Sequence, residues 1–585
     1  MRLKDKLPLS YLLFSIRGRI HRSTYWLVSA FIWSTFYVLH TILHNFVSEG
    51  ATYVLYPLLL GSLVSTATKR LHDTNHSGYW LLVVLIPVLG PIWLIYVLGF
   101  KRGDKHPNTF GTVPNEAADY FKNDNGQPVP HSAPERIIND VTQLNPVVVA
   151  DVFRPKSVTD LQEWLRQTTG PISVGGGRFS MGGQTASAQS LHIDMRDLNQ
   201  VIQFSKEDRR ITVQAGIRWC DIQRFIDAHD LSIKIMQTYA NFTVGGAMSV
   251  NCHGRYMGHG PLILSVRAIE LVLADGSLVQ ASRTENPDIF FGAIGGYNGL
   301  GIIVSAELDL DENLAVRRQH QKLSRSAYQP YFTEAIRDNP EAVFHNGDMY
   351  PPAYKNMSAV TWVKTTEQPT VKTRLMPLRE SYPLERYFMW AFTETALGKW
   401  RREYIVDPLL YLTNPIHWRN YEAGYDVAEL EPRSRTKRTY VLQEYFVPVR
   451  HFEDFAEKMS EIFNRHQVNV INVSVRHALP DSGSYLAWAR EEVFAFVVYY
   501  KQRTTEAAKN AVAVWTRELI DAVLSVDGAY YLPYQAHATL EQFHKAYPNA
   551  GKLFALKKNL DPNFRFHNVF WDTYYQPFLS TELTG

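Results

Sequence analysis

Apolar residues in the first hundred positions fall into three long runs, about 25–46, 51–68 and 78–100; beyond residue 140 they break into short alternations. As helices rising roughly 1.5 Å per residue, the first and third runs reach about 33 Å, enough for a bilayer core of about 30 Å, and the second reaches about 27 Å. The third shows no polar face, which a helix packed in a soluble bundle would keep. Pro87, Gly90 and Pro91 interrupt it, so it reads as a kinked span or as a hairpin that returns. Basic residues precede the first run (Arg2, Lys4, Lys6, Arg17, Arg19, Arg22), fill Lys69-Arg-Leu-His-Asp-Thr-Asn-His76, and follow the third at Lys101, Arg102 and Lys105. The positive-inside rule then gives a cytoplasmic N-terminus and favours the return. No small-residue cleavage site follows the basic start, so no cleaved signal peptide is read. Residues 112–140 are rich in Pro, Asn, Asp and Gly without a hydrophobic period and read as a linker.

From Pro146 the pattern predicts short strands and amphipathic helices. A strand over 147–154 ends at Pro155, helical spacing follows over 158–167, and a short strand comes at 172–174. The run 210–216 alternates as a strand does, 219–229 has helical spacing, a strand follows at Leu231, and 269–280 reads as a hairpin around Asp275-Gly276. Near the C-terminus, strands are expected over 439–448, 470–477 and 492–500, the last too apolar for an exposed face. Helices over 452–465 and 504–525 would cover one side of this sheet and leave the other as a roof. Between 319 and 460 the sequence shows mixed helices and aromatic-rich loops with few motifs.

The 585 residues leave room for three domains, and the net charge of +3 implies no bulk attraction to nucleic acid. Only Cys220 and Cys252 are present, so neither a disulfide framework nor a C-x-x-C metal site is expected. Aromatic residues make up 13% of the chain, which suits either a large buried cavity or membrane-interface belts.

Three glycine clusters change this picture. Val174-Gly-Gly-Gly-Arg-Phe-Ser-Met-Gly-Gly-Gln184 can turn consecutive backbone N–H groups toward one anion. Thr243-Val-Gly-Gly-Ala-Met-Ser-Val-Asn-Cys-His-Gly254 and Gly295-Gly-Tyr-Asn-Gly-Leu-Gly-Ile-Ile303 let backbone approach a flat ligand closely. Neither G-x-G-x-x-G nor G-K-[ST] occurs in the first cluster, so it would bind pyrophosphate differently from a dinucleotide Rossmann turn or a P-loop. Cys252 reads as a small buried residue rather than a redox thiol, and His259 as a loop residue.

Residues 10–112 resemble a family of small bacterial inner-membrane proteins of unknown function, on Phe14-Ser-Ile-Arg-Gly-Arg-Ile-His-Arg-Ser-Thr-Tyr-Trp26, Lys69-Arg-Leu-His-Asp73, Ser77-Gly-Tyr-Trp80 and Asn108-Thr-Phe-Gly111. Residues 142–318 resemble the FAD-binding domain of the vanillyl-alcohol oxidase / p-cresol methylhydroxylase superfamily: the glycine turn, Val213-x-Ala-Gly216, the Thr-x-Gly-Gly…His-Gly segment and the Asp-Gly hairpin occur in order. The resemblance implies an α+β chain: a transmembrane helical domain (1–112), a linker (113–141), a two-part FAD-binding domain (142–318) and a sheet-and-helix cap (319–585) whose tail packs back on the FAD domain. It implies FAD bound by Gly175, Gly176, Gly177, Arg178, Phe179, Ser180, Gly182 and Gln184 at the pyrophosphate. Thr243, Gly245, Gly246, Asn251, His253 and Gly254 would lie near the isoalloxazine, and Gly301 and Ile302 near the adenine or ribose. Many relatives carry at position 178 a His bonded covalently to the flavin. Arg178 cannot act as that nucleophile, so non-covalent FAD is expected.

The cap resembles those of aldonolactone and alditol oxidases and of the decaprenylphosphoryl-ribose oxidase subunit. Their Glu-x-Arg pair reads Ser474-Val-Arg476 here, which keeps the Arg and lacks the carboxylate. Their lysine near the flavin falls at Pro533-Tyr-Gln-Ala-His537. Histidine suits a base that takes a hydroxyl proton at neutral pH, so His537 is the first catalytic candidate and His253 the second, with Arg476 stabilising negative charge. The expected activity is oxidation of a secondary alcohol of a sugar, polyol, sugar lactone or lipid-linked sugar, at the inner membrane with the flavin domain cytoplasmic. Quinone or O2 would accept the electrons. The alternatives are a flavin-dependent C=C reductase and a non-catalytic membrane flavoprotein scaffold.

Overall fold

The computed structural model describes residues 13–104, 110, 136–377, 396–424, 435 and 437–582, apart from positions 17, 47, 87, 88 and 482. It divides into two compact units, residues 1–133 with 379–387, and residues 134–378 with 388–585.

In the first unit the helix Arg22–Phe46 is followed by a 3-10 turn, Glu49–Val54, and the helix Leu55–Asp73. Two stretches of 24 residues, Arg22–Asn45 and Gly50–Asp73, are long and apolar enough to cross a bilayer. The third apolar run is not one helix. It divides into a 3-10 segment Gly78–Leu85, a short helix Leu89–Ile95 and a π turn Tyr96–Phe100, with the break beginning at Ile86, just before Pro87. Its far end comes back to the start of the first helix. Trp26 Nε1 donates to Gly99 O at 3.0 Å, Arg22 to Phe100 O at 3.0 Å and Arg19 to Asp104 O at 2.8 Å. Buried Asp73, closing the second helix, accepts from Arg19 at 3.1 Å and Arg70 at 2.9 Å. The first helix begins, the second ends and the third run leaves at one end of this unit.

The second unit opens with a parallel three-stranded sheet in which Leu191–Asp194 lies between Asp151–Phe153 and Ile172–Gly175. The helix Val158–Gln167 connects the outer strands; Ser157 caps it by accepting from Asp160 N, and Leu161 and Leu165 face the core. A six-stranded antiparallel sheet follows in the order Leu278–Ser282, Val266–Val272, Ile302–Glu312, Arg210–Gln214, Val201–Ser205, with Leu231–Ile233 on the far end of Ile302–Glu312. The expected hairpin is the pair Val266–Val272 and Leu278–Ser282, turned at Gly276 with φ of 79°.

An eight-stranded antiparallel sheet makes the cap. Its order is Ile416–Trp418, Ala315–Ser324, Asn356–Lys364, Ala342–Met349, Val470–Ala478, Val493–Arg503, Arg438–Pro448, Ala529–Tyr530. Three of these, Ala315–Ser324, Ala342–Met349 and Asn356–Lys364, lie wholly or mostly where the sequence suggested helices and loops. Ala-Val-Arg-Arg-Gln-His-Gln-Lys-Leu-Ser carries polar side chains on both faces, which hides a period of two. One face of the sheet is covered by Phe452–Arg465 and Glu506–Leu524, packed through Phe452, Phe455, Phe494, Phe496 and Trp515. The other face holds the polar residues described below. The helix pair and the α+β layout agree with the sequence.

The C-terminal segment returns to the first sheet. Ile172 N donates to Arg565 O at 2.6 Å and His567 N to Ile172 O at 2.7 Å. Buried Lys557 donates to Gly299 O and Phe566 O and pairs with Asp561 at 2.5 Å.

Candidate active site

The strand Ile172–Gly175 delivers the chain into the glycine turn, and each glycine there has a close neighbour. A Cβ on Gly176 would lie 2.3 Å from Thr243 Oγ1, one on Gly175 2.9 Å from the His192 ring, and one on Gly182 2.1 Å from Tyr534 O. The turn is therefore pressed against the start of the helix Val244–Ser249, where Thr243 accepts from Gly246 N. The N–H groups of Gly177 and Ser180 find no acceptor among the described residues. Phe179 stacks on Phe242 with ring centres 4.5 Å apart, walling one side.

Positive charge surrounds the turn. Asp194, 1% exposed, is approached by Arg196 at 2.5 Å, Arg154 at 3.2 Å and Arg178 at 3.7 Å. Burial alone would raise its carboxyl, but the three guanidiniums hold it at about 2. Three cations around one carboxylate leave a surplus for a dianion. His192 is driven to about 3 by burial first and then by Arg178, so it is neutral.

Other expected contacts are taken up within the protein. Gln184 accepts from Gly182 N at 3.0 Å and donates to Leu532 O and Tyr534 O, pinning the turn to the segment 532–534. Asn251, at φ of 48°, donates to Asp481 and Ser484 and accepts from Ile263 N. Gly245 and Gly254 are needed because a Cβ would meet Ala215 Cβ at 2.9 Å and Met236 O at 2.3 Å. Gly301 and Ile302 enter the six-stranded sheet beside Val272. The Cys252 thiol is buried 3.0 Å from Gln237 Oε1, in keeping with a structural residue.

The cap contributes side chains in register. Lys322, Ser358, Asp348, Ser474, Val497 and Glu444 are successive pairing partners across six strands, so they share one face. The next residues along those strands (Gly347, Val475, Phe496, Tyr445) face the covering helices. Arg476 is two positions from Ser474 and points the same way. The carboxylate absent at Ser474 is therefore present at Glu444, because both residues pair with Val497. The sequence signal was there to be read: a Glu inside the apolar run Leu442-Gln-Glu-Tyr-Phe-Val447.

Glu444 Oε1 lies 3.4 Å from His253 Nε2, both groups being under 5% exposed, while His253 Nδ1 lies 3.2 Å from Gly254 O. Glu444 Oε2 and Arg476 Nε have no hydrogen-bond partner among the described residues. Arg476 lies deep in the protein yet keeps part of its surface open, as a side chain lining an internal cavity does. Burial lowers its guanidinium and the nearby Glu444 opposes that shift. Tyr534 faces the same pair; burial and then Glu444 push its hydroxyl far up, so it stays protonated. His537 is held through its backbone by Gln535 and Arg517, and burial and then Arg517 bring its imidazole to about 4.

An adenine dinucleotide with a flavin ring fits this site: a cradle that any Cβ at Gly176 would fill, N–H groups left over, surplus cations and two unpaired buried polar atoms. Comparison with known proteins agrees. Residues 149–282 match an FAD binding domain family. The chain is an FAD-dependent oxidoreductase. Over 439 residues this flavoenzyme is 22% identical to L-gulonolactone oxidase of Mus musculus, covering 72% of the chain and 93% of that protein. It is 34% identical over 103 residues to alditol oxidase of Streptomyces sp., 18% of the chain and 24% of that protein. Cytokinin dehydrogenase 2 of Arabidopsis thaliana is 27% identical over 179 residues, 30% of the chain and 36% of its own length. Two of these relatives are named for a lactone and for an alditol. Residues 13–112 match a family described only as a protein of unknown function, DUF805.

Proposed function

We propose that this flavoenzyme oxidises a secondary alcohol on a sugar, polyol, sugar lactone or lipid-linked sugar, with the pair Glu444–His253 receiving the hydroxyl proton. One observation carries the reading: a buried acceptor, Glu444 Oε2, and a buried donor, Arg476 Nε, are both unpaired on one face of the cap sheet. A carbinol is donor and acceptor at once, so its O–H donates to Glu444 while its oxygen accepts from Arg476. The proton passes to the carboxylate that His253 already backs, and Arg476 stabilises the oxygen as negative charge grows there. Tyr534, kept protonated, offers a further donor. The polar row Ser474, Asp348 and Ser358 gives further hydroxyl groups partners, in keeping with relatives named for a lactone and an alditol. FAD, bound without a covalent link by the glycine turn and the arginines around Asp194, supplies the hydride acceptor.

The N-terminal helices are proposed to anchor the flavoenzyme in the inner membrane, with the flavin unit on the cytoplasmic side where the N-terminus starts. Anaerobic stopped-flow mixing with aldonolactones, alditols and prenylphosphate sugars tests the activity. Bleaching of the flavin band by at least one class is expected. Bleaching by NADPH alone would establish the C=C reductase, and no bleaching by any of these would leave a scaffold.

A further inference from the structure

The cap carries one helix that is amphipathic the wrong way round. Residues 396–410 form a continuous helix, Ala396–Arg401, a π turn Arg402–Val406 and Asp407–Leu410. Its polar side chains point inward. Asn356 donates to Glu403 at 2.6 Å, Tyr350 donates to Asp407 at 2.8 Å, and Arg402 donates to Asn472 Oδ1 at 3.1 Å and Ile471 O at 3.3 Å. Both carboxylates of the helix are thereby buried, at 7% and 8% exposure. The outward face is Leu397, Trp400, Tyr404, Ile405 and Leu409, continued by Leu412 in the turn beyond, and these residues are 44–76% exposed. Their spacing of three to four residues makes one stripe, and Trp400 stacks on Tyr404, while Lys399 turns to the protein and donates to Asn469 Oδ1 at 3.2 Å.

A helix that spends its polar groups on the protein and turns leucines and a tryptophan outward is not built to face water. An apolar stripe with aromatic rings, on a helix that turns no carboxylate outward, fits the boundary of a lipid bilayer, where apolar side chains enter by about 5–10 Å. The same chain carries two helices of bilayer-crossing length, so a membrane is the apolar phase at hand. We infer that the outer face of the helix 396–410 docks on a lipid bilayer surface and holds the cap, whose polar sheet face lies directly beneath that helix, against the membrane. The inference does not depend on what the flavoenzyme oxidises, so its failure and the failure of the proposed activity are separable.

The test uses the full chain in vesicles containing phosphatidylglycerol, with an environment-sensitive fluorophore on Leu409→Cys. Cys220 and Cys252 are buried and stay unlabelled in the folded protein. Glu457→Cys, exposed on the helix Phe452–Arg465, is the control, and retained flavin absorbance reports folding. The expected result is a blue-shifted probe at 409 that brominated lipids quench severalfold more than the probe at 457. Emission at 409 matching that at 457 would overturn the inference. So would a blue shift without bromolipid quenching, which would mean that the N-terminal unit or a second copy covers the stripe. Should Leu409→Cys lose its flavin, Leu412→Cys carries the same test.

Discussion

The cofactor cradle and the cap sheet solve opposite problems. At the cradle, side chains are removed so that backbone can come close: Gly175, Gly176 and Gly182 each touch a neighbour that a methyl group would displace. On the cap, backbone is spent on strand pairing and the chemistry sits in side chains lined up by strand register, with Glu444 Oε2 and Arg476 Nε left without a partner among the described residues. A cradle of this kind tolerates almost no substitution but needs only a short stretch of chain. A register row draws on six strands, and a given group can be supplied by any of them.

This contrast can be broken at either end. The largest effect is expected on the cap: Glu444→Gln keeps size and most packing but cannot take the proton, so flavin reduction should slow by roughly 10²–10⁴-fold. Flavin content, read as the ratio of visible to protein absorbance, should stay at the parent value. Full-speed reduction would remove Glu444 from the chemistry.

Gly176→Ala should do the reverse. Its Cβ would lie 2.3 Å from Thr243 Oγ1, and overpacking of about 1–3 kcal/mol corresponds to roughly 5–150-fold weaker FAD binding. Cofactor titration of the apoprotein checks this, and fully loaded variant should still be reduced at close to the parent rate.

Acid sharpens the cradle side further. Asp194 is held at about 2 against an ordinary 3.8, so its ionised, arginine-paired form adds stability above about pH 4. That contribution, roughly 2 kcal/mol, is lost as pH falls through about 2. Flavin fluorescence followed during acid titration should rise in that window, and Asp194→Asn should release flavin already near neutrality.

The smallest effect belongs to His537→Gln. With its hydrogen bonds among the described residues made by backbone, to Gln535 and from Arg517, the variant should cost about 0.5 kcal/mol or less, near a twofold change in reduction rate. A drop of a hundredfold would return His537 to the centre of the mechanism.

What could be read from the sequence divides along the same line. The glycine turn, the Asp275-Gly276 hairpin, the two covering helices and the interrupted third apolar run were all visible because their causes lie within about a dozen consecutive residues. The polar strand 315–324 was not, since polar side chains on both of its faces hide the period of two. Gln184 and Asn251 were read as ligand contacts; their partners, Tyr534 and Asp481, are hundreds of positions away, and only folding shows that these amides are already engaged. Glu444 stands two strands away from Ser474 at the same level, where no match made along the strand of Ser474 reaches it.

That last displacement reaches beyond this chain. Because Val497 pairs with both Ser474 and Glu444, an acidic group can move from one strand to its second neighbour and stay on the same face of the sheet. A linear motif scores such a move as a loss, whereas an inventory of pleat positions scores it as no change. Flavoenzymes dismissed for a missing Glu-x-Arg are therefore worth re-reading across the sheet rather than along the strand.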